Sequence, residues 1–566
     1  MDKKQTETNK KKDFSIILDF PGNKNKKSKK KYVRSDKKSF FGIKANGNVF
    51  VGSLIIILSL LLTTIIVGKP ISEWFADTQK WMSNNFGWFF ITAINFFLIF
   101  AIILGGGKFG KLKIGGQNAN TDFSTSAWFA MLFSAGMGIG LLFYSVAEPI
   151  MHFGGTPFYN GADKIEAAKT AMGVTFLHWG LHAWAVYAIV GLSLAYFTFN
   201  KKLPLTIRSI FYPILGERIY GRWGDLIDII SVTATMFGLA TSLGVGVQQA
   251  NAGLSYVFGV EFSNNWQIGL IVFITFLATM SLVLGLDKGI RRLSEWNIRL
   301  ATALLIFVLL VGPTLFILKS FGQNIGYYLS NLLTLSTFTE SYKGISEASH
   351  WQSGWTITYW AWWISWSPFV GIFIARISRG RTIREFVLGV LLVPTLVTFL
   401  WMTVLGGSAL HQELLGNHGI SEAVNENVAT AIYHLLENFP FTNIASVLTI
   451  LLVGSFFVTS SDSGSMVVDM LTSGGKLDSP VGQKVFWAST EGIVTIVLLV
   501  GGGLTALQTA TLLTALPFAV VIIIMCYNLY KVLNHDYNKI ESLKKRERNR
   551  KLAAKIANDV EERLED

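Results

Sequence analysis

The chain has 566 residues, of which 51% are hydrophobic and 15% charged, against roughly a quarter charged in soluble domains. That balance excludes a soluble globular domain and marks an integral membrane protein, so the formal net charge of +13 reflects topology and tails, with no nucleic-acid partner implied. The single cysteine, Cys526, excludes a disulfide or thiolate metal site within the chain.

Residues 1–47 form a basic N-terminal tail with lysine runs at 10–12 and 29–31 and no extended apolar face, which predicts a mostly disordered segment attracted to anionic membrane lipid or simply solvated. No short apolar core followed by a small-residue cleavage site is present, so the tail does not read as a cleaved signal peptide. Apolar stretches near the roughly 20 residues of a crossing helix follow at 50–68, 87–107, 127–147, 176–198, 228–257, 267–286, 300–318, 356–375, 386–407, 446–468, 487–503 and 507–530. These predict an all-α membrane protein of twelve transmembrane helices. One alternate set of loops carries eighteen Lys and Arg, among them Lys108, Lys201, Arg208, Arg292, Arg379 and Lys484, and the other carries six, including Lys164 and Lys319. The positive-inside rule puts the first set, and both termini, in the cytoplasm of a multi-pass protein of the cell membrane.

In the third span SAGMGIG, Ser134 to Gly140, places glycines at every second position, which weakens the helix and exposes backbone, unless they serve close helix packing. Glu148 and Pro149 follow at the extracellular end, where capping or gating is expected. In the eighth span Ser367 and Pro368 interrupt a second helix, since proline removes a backbone hydrogen bond. Two interrupted helices, each opening a set of five spans, predict an inverted repeat over 127–318 and 356–530 with a midplane site. The corresponding units are two extra helices at 48–126, a first five-helix repeat with its following loop at 127–350, a second repeat at 351–534, and a charged cytoplasmic helix at 535–566.

The fourth span contains Trp179, Trp184 and Tyr187, which fall within roughly 140° of one helix face, and the eighth contains Trp362, Trp363 and Trp366 within roughly 100° of another. Neither cluster has a charged residue beside it. Facing each other, the two walls would make a dry, uncharged pocket suited to a quaternary ammonium, which has no N–H to donate and is held over aromatic faces. Interfacial belts or helix packing are the alternative uses of such rings. His178 and His182 lie four apart, with no carboxylate at the same spacing, so a metal site is not expected.

In the tenth span, GSFFVTSSDSGS brings Thr459, Ser460, Ser461, Asp462 and Ser463 into the membrane. Hydroxyls with freed backbone carbonyls, such as those at Ser134 and Met137, would make an oxygen cage for Na⁺, or the hydroxyls bond back to their own helix. Asp462 does not share a face with Thr459 and Ser460 and is expected to meet a structural partner. In the C-terminal segment Leu543, Leu552, Ile556, Val560 and Leu564 recur at helical spacing among mixed charges.

Taken together, SAGMGIG, SVAEPIMHFGGTP, HWGLHAWAVYA, YWAWWISWSPFVGIFIARISRGRTIREF and FFVTSSDSGS closely resemble the betaine/choline/carnitine transporter family over residues 48–530. The resemblance implies twelve membrane helices, the last ten in a leucine-transporter-like inverted repeat of five plus five, a homotrimer, and secondary transport of trimethylammonium compounds. It makes Trp179, Trp184, Tyr187, Trp362, Trp363 and Trp366 the aromatic box, with Ala135, Met137, Gly138 and Gly140 beside the substrate. It makes Ser134 and Met137, with Phe456, Thr459 and Ser460, a Na⁺ site, and leaves Thr235 for a second, where Leu239 stands one turn later instead of a hydroxyl. Between Ile229 and Tyr256 no Lys or Arg replaces the ion, which favours Na⁺ coupling.

The sequence therefore predicts Na⁺-coupled uptake of glycine betaine or a related osmolyte, with no cofactor beyond the coupling ion. A choline importer is the nearest rival, and Gly140, where an acidic residue would suit choline, leans towards betaine. A ligand-gated channel or membrane sensor is the rival of another class. An enzyme is excluded for want of a nucleophile and base, paired catalytic carboxylates or a metal cluster.

Overall fold

The computed structural model describes residues 45–565 apart from 69, 137, 285–286, 343–350, 417–418 and 477–478. Its regular structure is helical, as it must be where no water is present to satisfy open backbone groups. The long helices are α1 (Gly47–Val67), α2 (Ile71–Gly106), α3 (Thr125–Gly136), α4 (Ile139–Gly154), α5 (Lys164–Trp179), α6 (Leu181–Ala195), α7 (Arg222–Phe258), α8 (Asn264–Leu284), α9 (Asp287–Val311), α10 (Thr314–Ser336), α11 (Thr358–Ile377), α12 (Ile383–Leu414), α13 (Thr442–Thr472) and α14 (Val481–Glu565). Among the described residues nine helices are long and apolar enough to cross a membrane, or ten if the bent pair α3 and α4 is one crossing.

Helix ends follow local chemistry. Thr382 and Glu385 close a reciprocal capping box at the start of α12, and Asp163 accepts from the Ile165 amide at the start of α5. Gly259 takes the left-handed conformation (φ 68°) that ends α7, returning its N–H to Leu254 and Ser255. The break between α3 and α4 falls in the glycine-rich stretch, where Gly138 is extended (φ −155°, ψ 177°) and the two helices meet at 64°. Extended segments also pair: Leu112 and Ile114 bridge to Gly380, Arg381 and Ile383, tying the chain after α2 to the α11–α12 turn.

Four sequence expectations change. The fourth span begins at Lys164, not near 176, and is divided at Gly180 into α5 and α6. The stretch placed at 300–318 is two helices, because Gly312 and Pro313 end α9; α10 then exposes Leu315, Leu318, Leu329 and Leu333 along its length. No interruption occurs at Pro368, where α11 runs on unbroken. Pro368 lacks the N–H that would bond the Ile364 carbonyl, and the Ser367 hydroxyl supplies that bond instead at 2.7 Å. Finally, the C-terminal segment is no separate helix but the end of α14, whose backbone breaks only at Gly502 (φ −157°, ψ 20°) and Gly503 (φ 64°, ψ −152°).

The first two helices lie against the rest: α1 packs on α7 and α14, and α2 on α14, α6 and α12. At the heart of the molecule α11 packs against α6, α7 and α14, and α7 against α13. Trp360, Trp128, Trp401 and Trp487 are fully buried.

Candidate functional site

The α3–α4 break, the Gly180 break and α11 open onto one cavity of about 230 Å³. All six predicted ring residues line it: Trp179 from α5, Trp184 and Tyr187 from α6, and Trp362, Trp363 and Trp366 from α11. Trp362 and Trp363 stack at 5.2 Å with an 8° tilt, while Trp179 stands edge-on to Trp363 at 5.0 Å and 68°. Tyr187 meets Trp363 at 6.4 Å and 75°, and Trp184 meets Tyr187 at 5.3 Å and 77°.

The polar edges of the four rings Trp179, Trp362, Trp363 and Trp366 are committed to protein. The indole N–H of Trp179 donates to Glu148 Oε2 (2.7 Å), that of Trp362 to Ser242 Oγ (3.1 Å), that of Trp363 to the His178 carbonyl (2.9 Å) and that of Trp366 to the Gly238 carbonyl (2.9 Å). What these four indoles offer a ligand is π-face. No Asp, Glu, Lys, Arg or His is among the described lining residues. Ring faces without a formal charge beside them are suited to an onium group, which has no N–H to donate.

Gly140 gives the cavity its room: a Cβ there would meet Cη2 of Trp362 at 2.6 Å and Cη2 of Trp179 at 3.2 Å. Gly138 also lines the cavity. Met137 lies outside the described residues, as does the side chain of Ala135.

A second wall is made of oxygen. Ser134, Phe456, Thr459 and Ser460 line the same cavity, so α3 and α13 bring together the described members of the predicted ion set. The Thr459 hydroxyl donates to the Ser455 and Phe456 carbonyls (both 3.1 Å) and accepts from Asn297 Nδ2 (3.1 Å). Thr235 is elsewhere: it is buried in α7, bonded to the Ser231 carbonyl at 2.7 Å, and does not line the cavity. Leu239 presses on Gly464 instead of opening an ion site. Asp462 turns away to accept from Ser281 (2.9 Å), as its position on the helix implied.

Sequence reasoning missed several lining groups. Ser294 and Asn297 come from α9, a stretch that its Arg292 and Arg299 had assigned to a loop. Ser242, Thr398, Phe369 and Phe373 also line the cavity, as does Ser463, one of the hydroxyls the tenth span placed in the membrane. Trp360, by contrast, turns to His182 at 5.7 Å.

Glu148 needs correction. It is not at a helix end but inside α4, fully buried, and its carboxylate joins helices that the sequence keeps apart. Oε1 accepts from His178 Nδ1 (2.6 Å) and His152 Nε2 (3.3 Å), and Oε2 from Trp179 Nε1 (2.7 Å) and the Tyr359 hydroxyl (2.5 Å). His178 and His182 do not converge, since His182 meets Asn95 at 3.2 Å. Glu148, His152 and His178 place ligand-type atoms within 4.8 Å of one another. The 2.6 Å separation of Glu148 and His178 is a hydrogen bond, shorter than the roughly 3.3 Å that separates two ligands at 2.0–2.1 Å around a tetrahedral ion. The triad is therefore a hydrogen-bonded brace in this geometry.

The model of the betaine/carnitine/choline family transporters matches residues 48–538. The chain is 45% identical over 499 residues to the glycine betaine transporter of Acinetobacter baylyi, covering 88% of this chain and 75% of that one. It is 46% identical over 509 residues to the glycine betaine/proline/choline transporter of Vibrio parahaemolyticus, with 87% and 91% covered. To the glycine betaine transporter OpuD of Bacillus subtilis it is 43% identical over 481 residues, with 85% and 93% covered.

Proposed function

This chain belongs to the betaine/carnitine/choline transporter family, and from that premise we propose that it imports glycine betaine, or a close trimethylammonium relative, in symport with Na⁺. It is a membrane transporter and not an enzyme. The observation that carries the substrate is the cavity itself: six aromatic side chains whose indole N–H groups, in Trp179, Trp362, Trp363 and Trp366, are held by protein acceptors, leaving faces for a cation without donors. The carboxylate of a betaine would find donors among the polar lining residues Asn297, Ser294 and Ser463. The names of the relatives from Acinetobacter, Vibrio and Bacillus point the same way.

Na⁺ coupling rests on Ser134, Phe456, Thr459 and Ser460, which line the same cavity as the rings. A zwitterion gains nothing from the membrane potential, whereas each cotransported Na⁺ contributes about 2.3 kcal/mol per 100 mV plus its own gradient. Accumulation against a gradient, as osmoprotection requires, then follows from obligate coupling.

The twelve-helix, five-plus-five architecture is part of the same reading. The count is reached when α3 and α4 are one crossing, α14 is two at its Gly502–Gly503 break, and α11, whose Trp, Tyr and Ser content lowers its hydropathy, is one. A homotrimer, cytoplasmic termini in the cell membrane, and contact of the basic tails with anionic lipid complete it.

The test is uptake of radiolabelled glycine betaine, choline and carnitine into proteoliposomes, each with and without an inward Na⁺ gradient. Saturable, Na⁺-driven accumulation of glycine betaine is expected. Uptake indifferent to Na⁺ removes the coupling, and uptake of none of the three removes the substrate class.

A further inference from the structure

One carboxylate reaches four aromatic rings of this molecule at once. Glu148 is fully buried in α4 and contacts no lumen of the cavity itself. Its two oxygens nevertheless divide the surroundings cleanly. Oε2 takes the Trp179 N–H from α5 at 2.7 Å and the Tyr359 hydroxyl from α11 at 2.5 Å; Oε1 takes the imidazoles of His152, one turn along α4, and His178 on α5.

Each of these partners passes the constraint on. His178 is fixed at its other nitrogen by Thr356 Oγ1 (2.9 Å), and its carbonyl holds the Trp363 N–H (2.9 Å). Tyr359 stacks on Trp363 at 5.7 Å and 28° and on Trp362 at 6.2 Å and 26°. Thus Trp179 is tied to Glu148 directly, Trp363 through His178, and the Trp362–Trp363 stack through Tyr359.

A cation–π contact depends steeply on the orientation of the ring face, and an indole can rotate about two side-chain torsions unless its N–H is tethered. A charge-assisted bond in a dry interior is a strong tether, worth more than a neutral one, and its loss leaves buried donors unpaired. An apolar residue at 148 would pack; it would not orient the rings. Building on the reading of the cavity as an onium site, we propose that Glu148 is its positioning residue, holding Trp179 through its own carboxylate and the Trp362–Trp363 pair through Tyr359 and His178, so that three ring faces are preset before substrate arrives.

The experiment measures glycine betaine binding to purified full-length protein by tryptophan fluorescence, alongside thermal unfolding. Glu148→Gln keeps the side-chain shape but removes the charge and one oxygen, while Tyr359→Phe deletes only the hydroxyl that donates to Oε2, keeps the ring that stacks on Trp362 and Trp363, and changes no residue of the cavity lining. Glu148→Gln is expected to weaken binding roughly tenfold or more, and Tyr359→Phe several-fold. Because both act through the same oxygen, the double variant is expected to lose less than the product of the two losses. Glu148→Gln that unfolds at lower temperature yet binds with wild-type affinity when folded overturns the proposal, as do strictly multiplicative losses in the double variant. Should Glu148→Gln not fold, Tyr359→Phe with Thr356→Val, which frees the far side of His178, carries the same test, and wild-type affinity in that pair overturns it. Wild-type protein that binds neither glycine betaine nor choline instead overturns the onium reading on which the proposal rests, so the two failures are told apart.

Discussion

Gly140 and Trp362 are packed so closely that no side chain fits between them: a Cβ at position 140 would meet Cη2 of Trp362 at 2.6 Å. The sequence presents Gly140 as a place where acidic or neutral character selects between choline and a zwitterion. The packing adds a size constraint that precedes any charge effect, because even alanine must displace the ring that stacks on Trp363. Overpacking of this kind costs about 1–3 kcal/mol, so Gly140→Ala is expected to weaken glycine betaine and choline binding together by roughly tenfold. Gly140→Asn and Gly140→Asp should both fall further, with Asp retaining the higher ratio of choline to betaine affinity, since its carboxylate attracts a net cation and repels a carboxylate. Equal ratios in Asn and Asp variants would leave only the steric effect.

Removing a ring tests the cavity from the other side. Trp363→Leu or Trp366→Leu retains apolar bulk but loses the quadrupole, and a desolvated cation–π contact is worth about 2 kcal/mol, or some thirtyfold in affinity. Trp366 is the cleaner of the two, being half-buried and held by the Gly238 carbonyl and an edge-on contact with Phe369 at 5.3 Å, whereas Trp363 supports Trp362, Tyr359 and Trp179. Trp363→Leu is therefore expected to lower the unfolding temperature as well as affinity, and Trp366→Leu to lower mainly affinity. Unchanged glycine betaine binding in both would exclude the aromatic box.

The hydroxyl wall carries a separate expectation. Thr459→Ala with Ser460→Ala removes two oxygens from the cavity border, and a dry site cannot replace them. The Na⁺ concentration for half-maximal uptake should rise several-fold, while substrate binding at saturating Na⁺ changes little. Since the Thr459 hydroxyl also bonds the Ser455 and Phe456 carbonyls, Thr459→Ser is the control that keeps an oxygen. Normal Na⁺ dependence in the double variant would assign both hydroxyls to their own helix.

How much of this was legible in the sequence differs residue by residue. The rings of the box were readable because helical periodicity places Trp179, Trp184 and Tyr187, and again Trp362, Trp363 and Trp366, on single arcs, and burial in an apolar span leaves them few other uses. Glu148 was misread because its meaning lies in partners at 178, 179 and 359, and no spacing rule connects residues on three helices. Ser294 and Asn297 were hidden by neighbouring arginines, which read as a loop even when one face of the helix lines the cavity. Pro368 looked like a break because proline removes a donor; the compensating hydroxyl of Ser367 was adjacent in sequence, but its orientation was not. The membrane-crossing pattern was clear as a whole, while ends such as that of α9 depended on Gly312 and Pro313 inside a run that is otherwise apolar.

The last prediction concerns the end of α14. Asp536 is buried where the helix leaves the body, with Oδ1 accepting from Lys201 Nζ (2.7 Å) and Oδ2 from the Tyr196 hydroxyl (2.7 Å). From Glu541 onwards the helix is exposed, and Leu543, Leu552, Ile556, Val560 and Leu564 present an uncovered apolar stripe among alternating charges. A truncation at 536 would therefore confuse two effects, because deleting one partner of a buried ion pair costs about 3–5 kcal/mol in stability. Deleting 541–566 spares that contact and isolates the exposed segment. Ionic docking of such a segment on anionic lipid or cytoplasmic loops weakens as internal salt rises, the Debye length shrinking from about 10 Å at 0.1 M towards 3 Å at 1 M. The 541–566 deletion is accordingly expected to keep Na⁺-driven uptake and wild-type thermal stability but to flatten the rise of uptake with osmolality, whereas Asp536→Asn should lower the unfolding temperature. Uptake into proteoliposomes over a series of external osmolalities decides it: superimposable activation curves for full-length and 541–566-deleted protein would make the segment a solvated extension with no part in regulation.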